Sequence, residues 1–208
     1  MAKVILVNGS PHHHGCTFTA LDEVAGELEK CGVQTEHFWI GARPVMACIA
    51  CGKCGQTKRC WYAEDTLNSF LDKAGEADAF VFGTPIYYAS ISGQLKSFLD
   101  RAFYGKSALF TNKPAAAVVS CRRGGATGGW EDVNRFFGIS NMPIVTSQYW
   151  NQVHGNTPDE VRQDAEGLQT MRRLGQNMAW LLRCIEAGKA AGVEPPQGEP
   201  LVRTNFIR

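Results

Sequence analysis

"KVILVNGSPHHHGCTFTALDEVAGELEKCG", residues 3–32, is the stretch whose reading decides the fold. Residues 3–9 form a near-continuous apolar run that closes on Gly9, the pattern of a strand buried on both faces. From residue 17 the period changes. Leu21, Val24, Leu28 and Cys31 fall on one helical face, and Gly32 stops the helix. Between strand and helix lies a short loop with hydroxyls at Ser10 and Thr17.

The alternation continues outward from this unit. "VQTEHFWI" (33–40) alternates as a strand, and 63–77 is a helix with Leu67, Phe70 and Leu71 inward. "DAFVFG" (78–83) is a strand, 90–103 a helix, "KPAAAVVS" (113–120) a strand, 128–138 a helix, and "MPIVTSQYW" (142–150) a strand. A long helix over 157–188 opens on Thr157 and Pro158, with a stripe of Val161, Leu168, Met171, Leu174, Met178, Leu182 and Ile185. Five strands separated by helices predict a parallel sheet in a three-layer α/β sandwich. Residues 1–188 are expected to be one domain, including a Cys-rich loop at 44–62. Residues 189–208 are too rich in Pro and Gly for an element and form an extended arm. Its Leu201, Val202, Phe206 and Ile207 are expected to dock on a surface of this or a neighbouring subunit.

The 208 residues carry a net charge of +1, which leaves no electrostatic footprint for nucleic acid. Apolar runs such as "PAAAVV" are too short to span a membrane, and the start has no secretory pattern. A cytoplasmic protein is the expectation, and there eight cysteines favour metal or redox chemistry over structural disulfides. Cys31 and Cys184 sit in helical patterns as small core residues.

In an open parallel sheet, ligands bind beyond the carboxyl ends of the strands. Three loops lie there. "NGSPHHHGCT" (8–17) lacks the dinucleotide fingerprint, but it leads into a helix amino terminus and suits one phosphate monoester. The histidine run is read as a solvated turn, with His12 the exception. "GTPIYYAS" (83–90) puts Tyr87 and Tyr88 where a flat aromatic ligand needs a wall. "SCRRGGATGGW" (120–130) offers glycines for close approach and Arg122 and Arg123 for charge, or else is a plain flexible loop. A phosphate site, an aromatic wall and a backbone edge together are the needs of flavin mononucleotide, FMN.

"VNGSPHHHGCT", "ADAFVFGTPIYYASISGQLKSFLDRAF" and "SCRRGGATGGWED" resemble the NADPH-dependent FMN reductase family of flavodoxin-like proteins. The preceding Cys loop is similar to that of its iron–sulfur flavoprotein branch. The resemblance covers residues 2–185. It implies a flavodoxin-like fold, FMN at the ends of the first, third and fourth strands, and homodimers or homotetramers. It also implies that Ser10, His12, Cys16 and Thr17 hold the phosphate. Pro85, Ile86, Tyr87 and Tyr88 would line the ring, and Ser120, Arg122, Gly124 and Gly125 its edge. Cys16 stands where the family usually has Asn, and His12 where a basic residue is common.

"CIACGKCGQTKRC" (48–60) spaces its thiols C-x2-C-x2-C-x5-C, as Cys48, Cys51, Cys54 and Cys60. The first three resemble the compact run that wraps one corner of a cubane. A [4Fe-4S] cluster is the favoured occupant. Zinc, which more often uses two separated knuckles, and free or redox-active thiols stay open. Lys53, Lys58 and Arg59 would offset a cluster's negative charge.

The expected activity is an oxidoreductase that takes hydride from NADPH or NADH onto FMN and passes electrons to a small-molecule acceptor. No acid or base is needed for that step, and none is assigned. The alternatives are an electron carrier without its own small-molecule substrate, and a non-catalytic sensor. Carriers of this type tend to be acidic, which this chain is not.

Overall fold

A computed structural model of the protein describes residues 1–200, 202–204 and 206. The elements in chain order are β1 (Lys3–Asn8), α1 (Cys16–Lys30), β2 (Gln34–Trp39), α2 (Lys53–Thr57) and α3 (Leu67–Ala74), then β3 (Ala79–Tyr87), β4 (Ser90–Ile91) and α4 (Gly93–Lys106). They continue with β5 (Ala115–Cys121), α5 (Ala126–Ile139), β6 (Gln152–His154), α6 (Pro158–Gln163) and α7 (Ala165–Ala190). Five strands are parallel in the order β2-β1-β3-β5-β6, and the two-residue β4 pairs antiparallel with β3. This is a flavodoxin-like α/β sandwich, whose order reverses between β1 and β3. That crevice is where such sheets bind ligands.

Strand alternation divides the core. Ile5, Val7, Phe80, Phe82, Ala115 and Ala117 face one layer, with α3, α4 and α5. Val4, Leu6, Ala79, Val81, Ala116 and Val118 face the other, with α1, α6 and α7. Register matches size across the sheet: Phe80 lies beside Ala115 and Phe82 beside Ala117. The first layer thus accommodates a buried phenylalanine cluster that includes Phe70, Phe98, Phe110 and Phe137. Among the described residues no helix is long and apolar enough to cross a membrane.

The structure corrects several expectations. The strand expected over 142–150 is reduced to a bridge between Ile144 and Ala115, and the edge strand forms instead at β6. Pro143 contributes no N–H, and the Ser147 hydroxyl bonds the Tyr149 carbonyl and the Asn151 side chain at 2.7 Å each. These local bonds compete with the ladder and lift residues 146–150 off the sheet, which the chain rejoins where the Asn151 carbonyl accepts from the Val119 N–H at 2.9 Å. The single long helix is divided at Asp164, whose carboxylate accepts from the Gly167 N–H at 2.9 Å and starts α7. Its other oxygen accepts from the His154 N–H at 2.7 Å, tying the break to β6. The helix expected from residue 90 begins at Gly93, because Ser92 caps it by accepting from the Leu95 N–H at 3.2 Å. β3 runs on to Tyr87, so Pro85, Ile86 and Tyr87 belong to a strand and not to a loop. Cys184 is exposed, not core, whereas Cys31 is partly buried against the second layer. In the arm, the described Val202 and Phe206 are 86% and 92% exposed and do not dock on this chain, whereas Arg203 borders a hollow beside Tyr104 and Phe136. Leu201 and Ile207 lie outside the described residues.

Candidate functional site

The loop after β1 is shaped by Asn8, which is buried at the strand end. Its amide oxygen accepts from the Ser10 N–H at 3.0 Å, and its amide nitrogen donates to the His13 carbonyl at 2.9 Å. The Ser10 hydroxyl accepts from the His12 N–H at 3.1 Å, and the Trp39 indole donates to the Ser10 carbonyl at 2.8 Å. The chain thereby folds into an arch ending at α1. That helix starts at Gly15 with no side chain capping its N–H groups and no acidic residue in its first turn. Those N–H groups and the helix dipole suit an anion. His12 is exposed beside the arch. His13 instead stacks on Trp39, ring centroids 4.4 Å apart and 13° from parallel, and His14 packs on the edge of Phe18.

The three loops are joined at their roots. The Gly9 N–H donates to the Gly83 carbonyl at 2.8 Å, and the Ser92 hydroxyl donates to the Gly9 carbonyl at 2.7 Å. A Cβ on Gly9 would stand 2.8 Å from both the Gly83 oxygen and the Leu95 Cβ, so only glycine fits this approach. Thr17 in the first turn of α1 and Ser120 at the end of β5 bond to each other through their hydroxyls at 2.8 Å, and both are buried. Cys16 turns elsewhere: its thiol lies 3.7 Å from the Gly155 carbonyl, and burial pushes its pKa up.

Along β3, Pro85 lies beside Ser120 of β5. Ile86 packs under the third loop, where a Cβ on Gly125 would come within 3.2 Å of it. Gly125 has φ +90° and caps α5, a conformation that favours glycine. Tyr87 is half-exposed at the strand end. Tyr88 is fully exposed in a left-handed conformation, φ 59°, which costs a non-glycine residue about 1–3 kcal/mol. Arg122, Arg123 and Gly124 are exposed at the same end of the sheet. This donor set of backbone N–H groups, hydroxyls and guanidinium groups, with aromatic walls, fits FMN chemically.

The second feature is the Cys loop. Cys48, Cys51, Cys54 and Cys60 all line one cavity of about 30 Å³, with Met46, Ile49, Trp61, Tyr62, Arg101 and Tyr104. All four are free thiols. They ring the cavity without converging on a point, and among the described residues no three His, Cys, Asp or Glu side chains could grip a single ion. As a donor set, four cysteines match in kind and number the thiolates that a [4Fe-4S] cluster takes, one at each iron corner. The residues around it that sequence reasoning missed are polar and buried. Asn68 of α3 accepts from the Cys60 N–H at 3.1 Å and donates to the Cys60 carbonyl at 2.9 Å. Arg101 of α4 donates to the Cys60 sulfur from Nε and from a terminal nitrogen, both at 3.2 Å. Arg101 falls three residues after Phe98 on the helix's apolar face, a position that signals a buried charge with a partner. Asn8, directly before Gly9 at a strand end, was likewise legible as a turn-forming side chain.

With the geometry in place, comparison with known proteins defines the class. The NADPH-dependent FMN reductase family matches residues 2–157, and this chain belongs to that family. An iron-sulfur flavoprotein of Methanocaldococcus jannaschii is 30% identical over 192 residues, covering 88% of this chain and 99% of its own. A second iron-sulfur flavoprotein of that organism is 26% identical over 189 residues, covering 82% and 92%. Among solved structures, RosB with a bound 8-demethyl-8-formylriboflavin-5'-phosphate intermediate superposes with a TM-score of 0.70 at 18% identity, over all of this chain and 93% of its own. A flavodoxin from the domain Archaea superposes at 0.58 and 16% identity, over 87% and 99%. The last two show the fold. The relatives and the family together make the protein a flavin-dependent oxidoreductase, with FMN as the supported cofactor.

Proposed function

We propose that this protein takes hydride from NADPH or NADH on bound FMN and passes the electrons to a small-molecule acceptor by way of a [4Fe-4S] cluster held by Cys48, Cys51, Cys54 and Cys60. The observation that carries this reading is the gathering of all four thiols around one cavity, on a chain whose sheet end offers an anion-binding arch and aromatic walls. FMN, when bound, supplies the exchange between two-electron and one-electron transfer.

The chain's own groups bind and orient. The arch from Ser10 to Gly15 and the N–H groups of α1 hold the phosphate, helped by the side chains of Ser10, His12 and Thr17, while Cys16, whose thiol faces the Gly155 carbonyl, contributes its backbone N–H. The Thr17 hydroxyl also serves the bond to Ser120. Pro85, Ile86, Tyr87 and Tyr88 border the ring. Ser120, Arg122, Gly124 and Gly125 present its polar edge with N–H groups and positive charge. A homodimer or homotetramer belongs to the same proposal, since one chain leaves Tyr87 and Tyr88 open to water.

The test is anaerobic purification followed by an absorbance spectrum, flavin extraction, and iron and sulfide analysis. FMN with four irons and four sulfides per chain, and bleaching of the flavin by NADPH or NADH alone, is the expected result. FAD, or a flavin inert to both nicotinamides, sinks the activity. A flavin without iron sinks the cluster.

A further inference from the structure

Arg101 is the most deeply placed charge beside the Cys cavity. Its side chain is 3% exposed, and it forms an ion pair with Asp65, whose side chain is 7% exposed. The remaining N–H groups of Arg101 donate to the Met46 carbonyl at 3.2 Å, the Tyr62 carbonyl at 3.1 Å and, as a fork, the Cys60 sulfur at 3.2 Å twice. The Tyr62 ring lies over the guanidinium at 5.4 Å. Among the described residues, no side-chain donor reaches the sulfur of Cys48, Cys51 or Cys54. Cys48 and Cys51 are exposed, whereas Cys60 is partly buried against the first core layer. The four thiols are therefore not equivalent. One is fixed by a fork of charged donors in a low-dielectric setting, and two face water.

We propose that Arg101 is a positioning residue that fixes the Cys60 corner of the cluster and raises its reduction potential, with Asp65 setting how much of the guanidinium charge the cluster feels. The inference rests on the reading of the four cysteines as cluster ligands. Reduction adds one electron to the cluster and changes no bond, so the site gains one negative charge. Hydrogen bonds to ligand sulfur and nearby positive charge both favour the reduced form. The Asp65 carboxylate opposes this, because it partly cancels the cation that it also holds in place. The two residues thus have opposite signs of effect on the potential, although both tie the loop to the body. That opposition separates an electrostatic role from a merely structural one.

The test is a redox titration of the anaerobic holoprotein with dithionite, followed by electron paramagnetic resonance, with iron, sulfide and FMN counted in each sample. Arg101→Gln lowers the cluster potential, by an amount that changes the one-electron equilibrium about tenfold, or about 59 mV. Arg101→Lys, which keeps the charge and loses the fork, gives a smaller fall. Asp65→Asn, which keeps an acceptor oxygen and loses the charge, raises the potential. Unmoved potentials, or shifts of Arg101→Gln and Asp65→Asn in the same direction, overturn the inference while a cluster in the parent protein leaves the cysteine reading standing. A parent protein without iron overturns both. If Arg101→Gln fails to fold, judged by lost FMN, Asp65→Asn decides alone: an upward shift supports the inference and anything else ends it.

Discussion

The hydroxyls of Thr17 and Ser120 meet at 2.8 Å although 103 positions separate them in the chain. One belongs to the first turn of α1, the other to the end of β5, and the contact is buried. It joins the arch that suits a phosphate to the strand end that leads into the glycine-rich loop. The two halves of the proposed flavin site are thus one body before any cofactor arrives, which would lower the ordering cost of binding.

Tyr87→Ala weakens FMN binding about 5- to 150-fold, the range of about 1–3 kcal/mol expected for loss of an aromatic stack. The side chain is 45% exposed, so the melting temperature of the flavin-free protein stays put. Flavin fluorescence titration measures the first and calorimetry the second. Unchanged affinity removes Tyr87 from the site.

Gly9→Ala destabilises the fold by about 1–3 kcal/mol, because the added methyl meets the Gly83 carbonyl and Leu95. Gly124→Ala, where nothing lies within 4 Å of an added Cβ, leaves stability within about 0.5 kcal/mol. Urea denaturation of the two flavin-free variants gives the comparison. Equal midpoints would show that the strand exits are looser than described.

The backbone of Cys60 is held by Asn68, so Asn68→Ala loosens one cluster ligand without deleting it. Iron and sulfide fall after anaerobic reconstitution, and stability drops by about 1–3 kcal/mol from the unpaired groups left behind. Cys54→Ala loses the cluster yet keeps FMN, since the two sites use different loops. Full iron retention in both variants contradicts the cluster assignment.

Alkaline pH destabilises the metal-free protein through Cys121, whose thiol is buried and pushed above its ordinary value of 9.0. Above pH 9 the unfolded chain releases this proton while the fold retains it. Stability therefore falls as pH rises from 9 toward the higher folded value. Lys113, pushed down by burial, contributes the opposite slope below 10.5. The measurement is thus a difference: Cys121→Ala loses less urea resistance than the parent between pH 8 and pH 10, in a phosphine reductant. Parallel pH profiles refute it.

The segment that left the sheet is the surface predicted to serve the proposed self-association. Tyr149 and Trp150 are 51% and 43% exposed, and with Trp130 they line a hollow of about 280 Å³. Among the described residues the Trp130 indole N–H has no hydrogen-bond partner, although it is buried. Light scattering is expected to report a dimer or tetramer, and Trp150→Ala to shift it toward monomer. A monomeric parent with full flavin content removes the shared-site proposal, and truncation after Gly192 tests the arm separately.

The strand–loop–helix unit of residues 3–32 was legible because burial on both faces and helical period leave different marks on one sequence. The edge of the sheet was not. "MPIVTSQYW" alternates as a strand should, but the Ser147 hydroxyl offers the backbone a competing partner that no hydropathy pattern records. The continuous stripe of the last helix hid Asp164 for the same reason, since a cap interrupts backbone geometry without interrupting the apolar face. In the candidate site, residue types singled out the glycines whose close approach the fold requires at Gly9 and Gly125, and the cysteines that share one cavity. Asn68 and Arg101 lay inside helical patterns, and their importance depends on which carbonyl and sulfur the folded chain brings to them.

Helix α4 begins where Ser92 bonds the Gly9 carbonyl and reaches the Cys cavity at Arg101 and Tyr104. A helix rises about 1.5 Å per residue, so Arg101 lies about 14 Å along the axis from Ser92. The helix would therefore work as a ruler between the two proposed redox sites. Electron tunnelling weakens steeply with distance, and this spacing is held by helical hydrogen bonding and not by a flexible loop. Adding one residue to α4 would lengthen the gap and turn the Arg101 end by about 100°. Transfer between the sites would then slow even if each still held its own group.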